Sequence, residues 1–216
     1  MSSSATKIRL IMELRRSGIT DTRVLGAIER IPREEFMLPT FRDQAYENLA
    51  LPIGHGQTIS QPYVVAMMSQ ALDVQEKMKV LEVGTGSGYQ AAVLSRLCRR
   101  LYTIERYEPL AKEAEQRLHR LRYSNVVFRI ADGTKGWKEQ APFDRIIVTA
   151  ASRDVPPALV EQLAPGGVMV VPIGPDPLNQ NIERVTKTDE GLQRDKILAV
   201  RFVPLVPGAL PTPKEY

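Results

Sequence analysis

Apolar residues along the middle of the chain follow two rhythms that take turns. Short, largely apolar runs, Val80 to Val83, Leu101 to Glu105, Val126 to Ile130, Phe143 to Val148 and Val168 to Ile173, have the length and β-branched content of buried strands. Between the second and third runs, Leu110, Ala114, Leu118 and Leu121 recur at spacings of four, four and three, which on a helix makes one apolar stripe. Tyr89 to Leu97 and Pro156 to Leu163 read as further helices, the latter stopped by Pro165-Gly166-Gly167. The order β-α-β-α-β, continued through two more strands, predicts the α/β class: a doubly wound, mostly parallel sheet with helices on both faces.

The ends of the chain carry additions to this pattern. Ile8, Ile11, Met12 and Leu14 predict an N-terminal amphipathic helix, and Asp21 is placed to cap a second one bearing Val24, Leu25 and Ile28, ended by Arg30-Ile31-Pro32. Towards the C-terminus, Asn181 to Thr186 and Leu198 to Val206 predict a β-hairpin turning at Asp189-Glu190-Gly191. The expected organisation is a single domain, 1–216, with a helical extension (1–50), a core holding the glycine loop (51–178), C-terminal strands (179–206) and a loose tail (207–216).

The first strand runs into Gly84-Thr85-Gly86-Ser87-Gly88, followed by a helix. Glycine permits positive φ and lets the backbone touch a ligand, and a new helix presents unpaired amides, so this turn predicts a nucleotide-type site. The alternation disfavours NAD, because dinucleotide sites want Gly-x-Gly-x-x-Gly and here Tyr89 fills the last slot. Glu82, just ahead of the glycines, suits a ligand with a positive amino group, and S-adenosylmethionine has one. Glu105 ends the second strand 21 residues after Gly84, the separation expected of an acid that binds both ribose hydroxyls. Asp132-Gly133 follows the third strand, where a carboxylate can accept from an adenine amino group. In an open parallel sheet all three acids converge beyond the carboxyl ends of the strands.

A second segment is chemically unusual. Gly54 to Pro62 is a small, hydroxyl-rich loop leading into a helix, Pro62 to Leu72. It reads either as a helix entry capped near Ser60 or Gln61, or as an anion site in which hydroxyls and helix-start amides hold a carboxylate. His55 reads as a loop hydrogen-bonding residue or a general base.

Composition narrows the classes. At 216 residues, 43% apolar, the chain can bury a core without disulfides or metal. Twenty-nine basic against 25 acidic side chains leave a net charge of +4 with no long basic run, short of a nucleic-acid footprint. The single cysteine, Cys98, has no internal disulfide partner, and with two histidines the chain offers no metal-ligand spacing. No apolar signal core or run near the roughly 20 residues that span a bilayer is present. The expectation is a cytoplasmic monomer with neither nucleic acid nor membrane as partner.

Leu51 to Pro62 together with Val80 to Tyr89 resembles the bacterial protein-L-isoaspartate O-methyltransferases, and agreement extends through Phe143 to Ala151, Leu163 to Gly167 and Arg201 to Leu205. The glycine turn alone indicates a methyltransferase; Gln57 to Pro62 is the more specific part. The resemblance implies a Rossmann-like class I methyltransferase fold. It also implies methyl transfer from S-adenosylmethionine to the free α-carboxylate of L-isoaspartyl residues in damaged proteins and peptides, with S-adenosylhomocysteine as product. Carried over by position, it makes Ser60 the catalytic residue. Thr58, Glu82, Gly84, Thr85, Gly86, Gly88, Glu105, Asp132 and Gly133 become cofactor-binding; Thr58, Ile59, Ser60, Pro204, Leu205 and Val206 become substrate-binding. No metal is implied. The family commonly has Gly where this chain has Ala131. Other readings stand beside it: methylation of a different carboxylate or small molecule, or a non-catalytic S-adenosylmethionine-binding module. A nucleobase amino methyltransferase is disfavoured because Thr149-Ala150-Ala151 replaces the expected Asn/Asp-Pro-Pro-aromatic, and a serine hydrolase because Ser87 lacks Gly-x-Ser-x-Gly.

Overall fold

The computed structural model describes residues 3–209. Helices α1 (Ser3–Arg16) and α2 (Thr22–Arg30) open the chain, and Asp21 caps α2 by accepting from the Arg23 and Val24 amides. Two 3₁₀ turns, Arg33–Phe36 and Pro39–Gln44, lead to a small antiparallel hairpin, β1 (Leu51–Gly54) and β2 (Gln57–Ile59). Then come α3 (Pro62–Leu72), β3 (Lys79–Val83), α4 (Tyr89–Ser95), β4 (Arg100–Glu105), α5 (Glu108–Arg120), β5 (Val126–Ile130), β6 (Phe143–Val148), α6 (Pro157–Gln162) and β7 (Leu163–Ile173). Strands β8 (Gln180–Thr188) and β9 (Gly191–Val200) finish the sheet.

The seven-stranded sheet has the order β5-β4-β3-β6-β7-β8-β9, parallel from β5 to β7 and antiparallel through the last two strands. The chain winds outward from β3 in one direction and from β6 in the other, so the gap above the carboxyl ends of β3 and β6 is the switch point where ligands of such sheets sit. One face packs against α3, α4, α5 and the N-terminal helices through Leu10, Leu14, Ile28, Val93 and Leu118. The other face packs against α6 through Leu159, with Leu81, Ile146 and Met169 beneath it. No helix among the described residues is long and apolar enough to cross a membrane.

Four sequence expectations change. In α1 the buried face is Leu10, Ile11 and Leu14, while Ile8 and Met12 are 53% and 48% exposed, because the helix docks on one side only. The loop Gly54 to Pro62 contains a hairpin, turned by His55 and Gly56 at φ 52° and 68°. Pro165-Gly166-Gly167 lies inside β7, where a register shift against β6 absorbs it; the helix is stopped two residues earlier, at Leu163. The last strand is Gly191–Val200, not Leu198 to Val206. Its first half is polar because it is a solvent-exposed edge, and the Gln180 side chain then accepts from the Phe202 amide at 2.6 Å and draws the following segment off the sheet. Of the expected tail, 207–209 is exposed and 210–216 lies outside the described residues.

Candidate active site

A cavity of about 650 Å³ opens at the switch point. Its floor is the turn between β3 and α4, its second wall is Thr58 to Gln61, and Leu198 to Val206 closes a third side. That third side is held by backbone pairing: the Ala151 amide donates to the Val203 carbonyl at 2.8 Å, and the Leu205 amide to the Ala151 carbonyl at 2.7 Å. No group of acidic, His or Cys side chains among the described residues is placed to hold a metal ion.

The floor differs from an anion-binding loop. The Gly84 and Thr85 amides donate to the Ile104 carbonyl, the Gly86 amide to Glu105 Oε2, the Gly88 amide to the Thr85 carbonyl and the Tyr89 amide to Ser87 Oγ. Most amides of the turn are thus engaged within the protein, while those of Ser87 and Gln90, which both line the cavity, have no acceptor among the described residues, so the expectation of unpaired amides is narrowed to the start of α4. Gly84 sits at φ 100°, where a Cβ would collide with the Thr149 hydroxyl, and that hydroxyl donates to the Gly84 carbonyl at 2.7 Å. At Gly86 a Cβ would meet only the end of Ile53 at 3.6 Å, so the backbone lies open to the cavity.

Glu105 is buried at the cavity edge and accepts from the Gly86, Arg106 and Tyr107 amides at 2.9, 2.8 and 3.0 Å. A carboxylate offers about four acceptor positions. Three are filled, which narrows the expectation of two ribose hydroxyls to one free position on Oε2.

Three expected cofactor residues do not reach the cavity wall. Glu82 points under the turn, fully buried, and accepts from the Thr103 hydroxyl at 2.6 Å, which itself pairs with Thr85 Oγ1 at 2.6 Å. Burial pushes its carboxyl up to about 8, Glu105 adding to the rise against the opposing Thr103 bond, so Glu82 is mostly neutral at pH 7 and braces the turn from below. Gly88 serves packing: a Cβ there would press on Leu118 and Ala114 of α5 at 3.2 and 3.3 Å. Asp132 caps a 3₁₀ turn by accepting from the Thr134 amide and hydroxyl. Its carboxyl is held below the usual range: burial opposes ionisation, but the Thr134 and Gly208 hydrogen bonds outweigh it. Gly133, beside it, does line the cavity.

On the second wall the Thr58 and Ser60 hydroxyls line the cavity and make no hydrogen bond among the described residues. Ile59 is buried between them. Ser60 is not the cap of α3. The Asn48 side chain performs that role, accepting from the Tyr63 amide at 3.0 Å while donating to Glu13 of α1 at 2.7 Å. One helix-start amide is thereby withdrawn from any ligand. Pro204, Leu205 and Val206 line the third side. His55 stacks on Tyr107, ring centroids 6.2 Å apart, joining the β1–β2 turn to the start of α5.

Sequence reasoning missed Thr149, Arg106 and Tyr107. The signal was available, since Thr149 and Arg106 directly follow the carboxyl ends of β6 and β4 and Tyr107 is the next residue along.

The model of the protein-L-isoaspartate(D-aspartate) O-methyltransferase family matches residues 5–209. The chain belongs to this family. A protein-L-isoaspartate O-methyltransferase of Paramagnetospirillum magneticum is 64% identical over 202 residues, covering 93% of this chain and 94% of the relative. One of Rhodospirillum centenum is 60% identical over 212 residues, covering 98% and 96%. Among solved structures, a protein-L-isoaspartate O-methyltransferase superposes with a TM-score of 0.82 at 31% identity, over 92% of this chain and 65% of that one. A putative protein-L-isoaspartate O-methyltransferase of Plasmodium falciparum, in complex with S-adenosyl-L-homocysteine, superposes with a TM-score of 0.79 at 25% identity, over 92% and 97%. Both solved protein-L-isoaspartate O-methyltransferase structures thus share the overall fold across 92% of this chain.

Proposed function

We propose that this protein methylates the free α-carboxylate of L-isoaspartyl residues in damaged proteins and peptides, using S-adenosylmethionine. The observation that carries the reading is that one cavity joins a glycine turn, most of whose amides are engaged within the protein, to a pair of unbonded hydroxyls, Thr58 and Ser60. The turn suits a nucleoside that brings hydroxyls: Gly86 allows close approach and Glu105 keeps one acceptor position. When bound, the cofactor supplies a sulfonium methyl, which the carboxylate oxygen takes while the sulfur keeps the bonding pair.

The chain's own residues then have a limited task. An α-carboxylate is ionised at neutral pH, so no general base is needed before attack. Ser60, with Thr58 beside it, orients the carboxylate by donating a hydrogen bond, and Ile59 with Pro204, Leu205 and Val206 bounds the peptide. Alignment of two bound reactants supplies several kcal/mol of barrier reduction. The product ester has a better leaving group than the acid, so the next backbone nitrogen can close a succinimide whose hydrolysis returns some normal aspartyl linkage. The chain acts as a monomeric single domain in this reading, its N-terminal extension bracing the Ser60 wall.

A methyl-transfer assay with matched aspartyl and isoaspartyl peptides tests it. Methyl ester should form on the isoaspartyl peptide only. Equal labelling of both, or of neither, overturns the reading.

A further inference from the structure

Arg33 is the largest fully buried side chain among the described residues, with 1% of its surface exposed. Its Nη2 donates to the Ser60 carbonyl at 2.9 Å and reaches the Leu49 carbonyl at 3.4 Å. Nε and Nη1 make no hydrogen bond, and no carboxylate stands within ion-pair distance among the described residues. The guanidinium instead lies over the Tyr89 ring, 4.6 Å from its centroid. Tyr89 is the first residue of α4, directly after the glycine turn. Arg33 therefore stands behind both walls of the cavity at once.

An arginine stays protonated in a protein, and burying it with no counter-charge is costly. Packing alone is better served by methionine, which has a similar reach and no charge to desolvate. What distinguishes arginine here is a fixed, buried positive charge behind the peptide whose side chain faces the cavity; Arg106 and Arg201, which also line the cavity, are not buried. An anion arriving at the Ser60 hydroxyl meets that charge through low-dielectric protein rather than water, where it acts more strongly.

We propose that Arg33 is a positioning residue for methyl transfer: its bond to the Ser60 carbonyl fixes the Ser60 hydroxyl relative to the glycine turn, and its unpaired charge gives that wall its preference for a carboxylate. This rests on the isoaspartyl reading and deepens it. Arg33 touches neither reactant and acts through Ser60.

The test compares Arg33→Met and Arg33→Lys with the wild type. Two quantities are measured: steady-state methyl transfer to an isoaspartyl peptide, and calorimetric binding of that peptide and of its α-carboxamide counterpart to the enzyme saturated with S-adenosylhomocysteine. Arg33→Met should keep S-adenosylhomocysteine affinity within about 3-fold, lower kcat by about 10- to 100-fold, and lose about 10-fold or more of the preference for carboxylate over carboxamide. Arg33→Lys, which keeps the charge but is shorter and lacks the planar guanidinium that lies over Tyr89 while reaching the Ser60 carbonyl, should keep that preference within about 3-fold while kcat still falls about 10-fold. A mere brace does not sense the charge of the peptide, so a folded Arg33→Met with wild-type preference overturns the proposal. Should Arg33→Met fail to fold, Arg33→Lys decides. A lower kcat with S-adenosylhomocysteine binding and anion preference retained supports the proposal, and wild-type kcat, or a parallel loss of both affinities, overturns it. If the wild type does not methylate the isoaspartyl peptide, the functional reading fails; if it does and the variants match it, only the role of Arg33 fails.

Discussion

The glycine turn and the Ser60 wall face the same cavity but are held by different kinds of contact. The turn is fixed mostly through its main chain: Gly84 and Thr85 bond to the end of β4, Gly88 bonds back to Thr85, Glu105 accepts from three amides, and the Thr149 and Arg117 side chains donate to the Gly84 and Ser87 carbonyls. The Ser60 wall is fixed by side chains from the N-terminal extension, Arg33 on the Ser60 carbonyl and Asn48 on the Tyr63 amide, with Glu13 steadying Asn48. Backbone contacts of the first kind survive wide changes in side chains and serve any ligand of the same shape. Contacts of the second kind depend on particular residues and can be tuned to one substrate. Cofactor binding and peptide handling should therefore separate under mutation.

The largest separation is expected at Ser60. Ser60→Ala removes an oriented donor and leaves the turn intact, so kcat should fall about 10- to 1,000-fold, as for loss of one positioned donor at a charged reacting group, with S-adenosylhomocysteine affinity unchanged by calorimetry. Wild-type kcat and KM would dissolve the division between the walls. On the cofactor side, Glu105→Ala frees three amides and removes the remaining acceptor. S-adenosylhomocysteine affinity should weaken by about 1.5 to 3 kcal/mol, the range for hydrogen bonds to a charged group, and peptide affinity should change less. Equal weakening of both ligands counts against the separation. The smallest effect belongs to Asn48→Ala, which uncaps α3. It should lower stability by about 1 kcal/mol, read as a shift in melting temperature, and raise KM for the peptide without altering cofactor affinity. An effect on the cofactor alone would place Asn48 on the wrong wall.

The same division explains what was legible in the sequence. The cofactor wall could be read because strand, glycines and strand-end acid are consecutive features with local causes: Gly84 and Gly86 need positive φ, and Glu105 follows its strand directly. Even there, the direction of a side chain was hidden. Glu82 sits on a strand where alternate residues point to opposite faces, and only the sheet shows that its face is the one under α4, beside Thr103, rather than the cavity. Gly88 likewise read as a ligand glycine, whereas α5, distant in sequence, gives it a packing role. On the Ser60 wall the hydroxyls were visible but their support was not, since Arg33 and Asn48 become neighbours of Ser60 and Tyr63 only once the extension folds over α3. An arginine two residues after Ile31 gives no sign of being buried. The hairpin β1–β2 was missed because its strands are too short to show alternation, and β9 because an exposed edge lacks the apolar pattern that marks a strand.

That exposed edge has a consequence for the company this protein keeps. Its proposed clients are damaged chains, many of them partly unfolded and therefore rich in strands seeking a partner. The sheet ends at β9, whose outer backbone row is open, and an open row is a template on which a foreign strand can add. Gln193, Arg194, Asp195 and Lys196 line that strand with polar and charged side chains, all exposed. A client segment docking there would have to desolvate those charges, so this edge of the sheet resists the addition of a sticky strand from a half-unfolded chain.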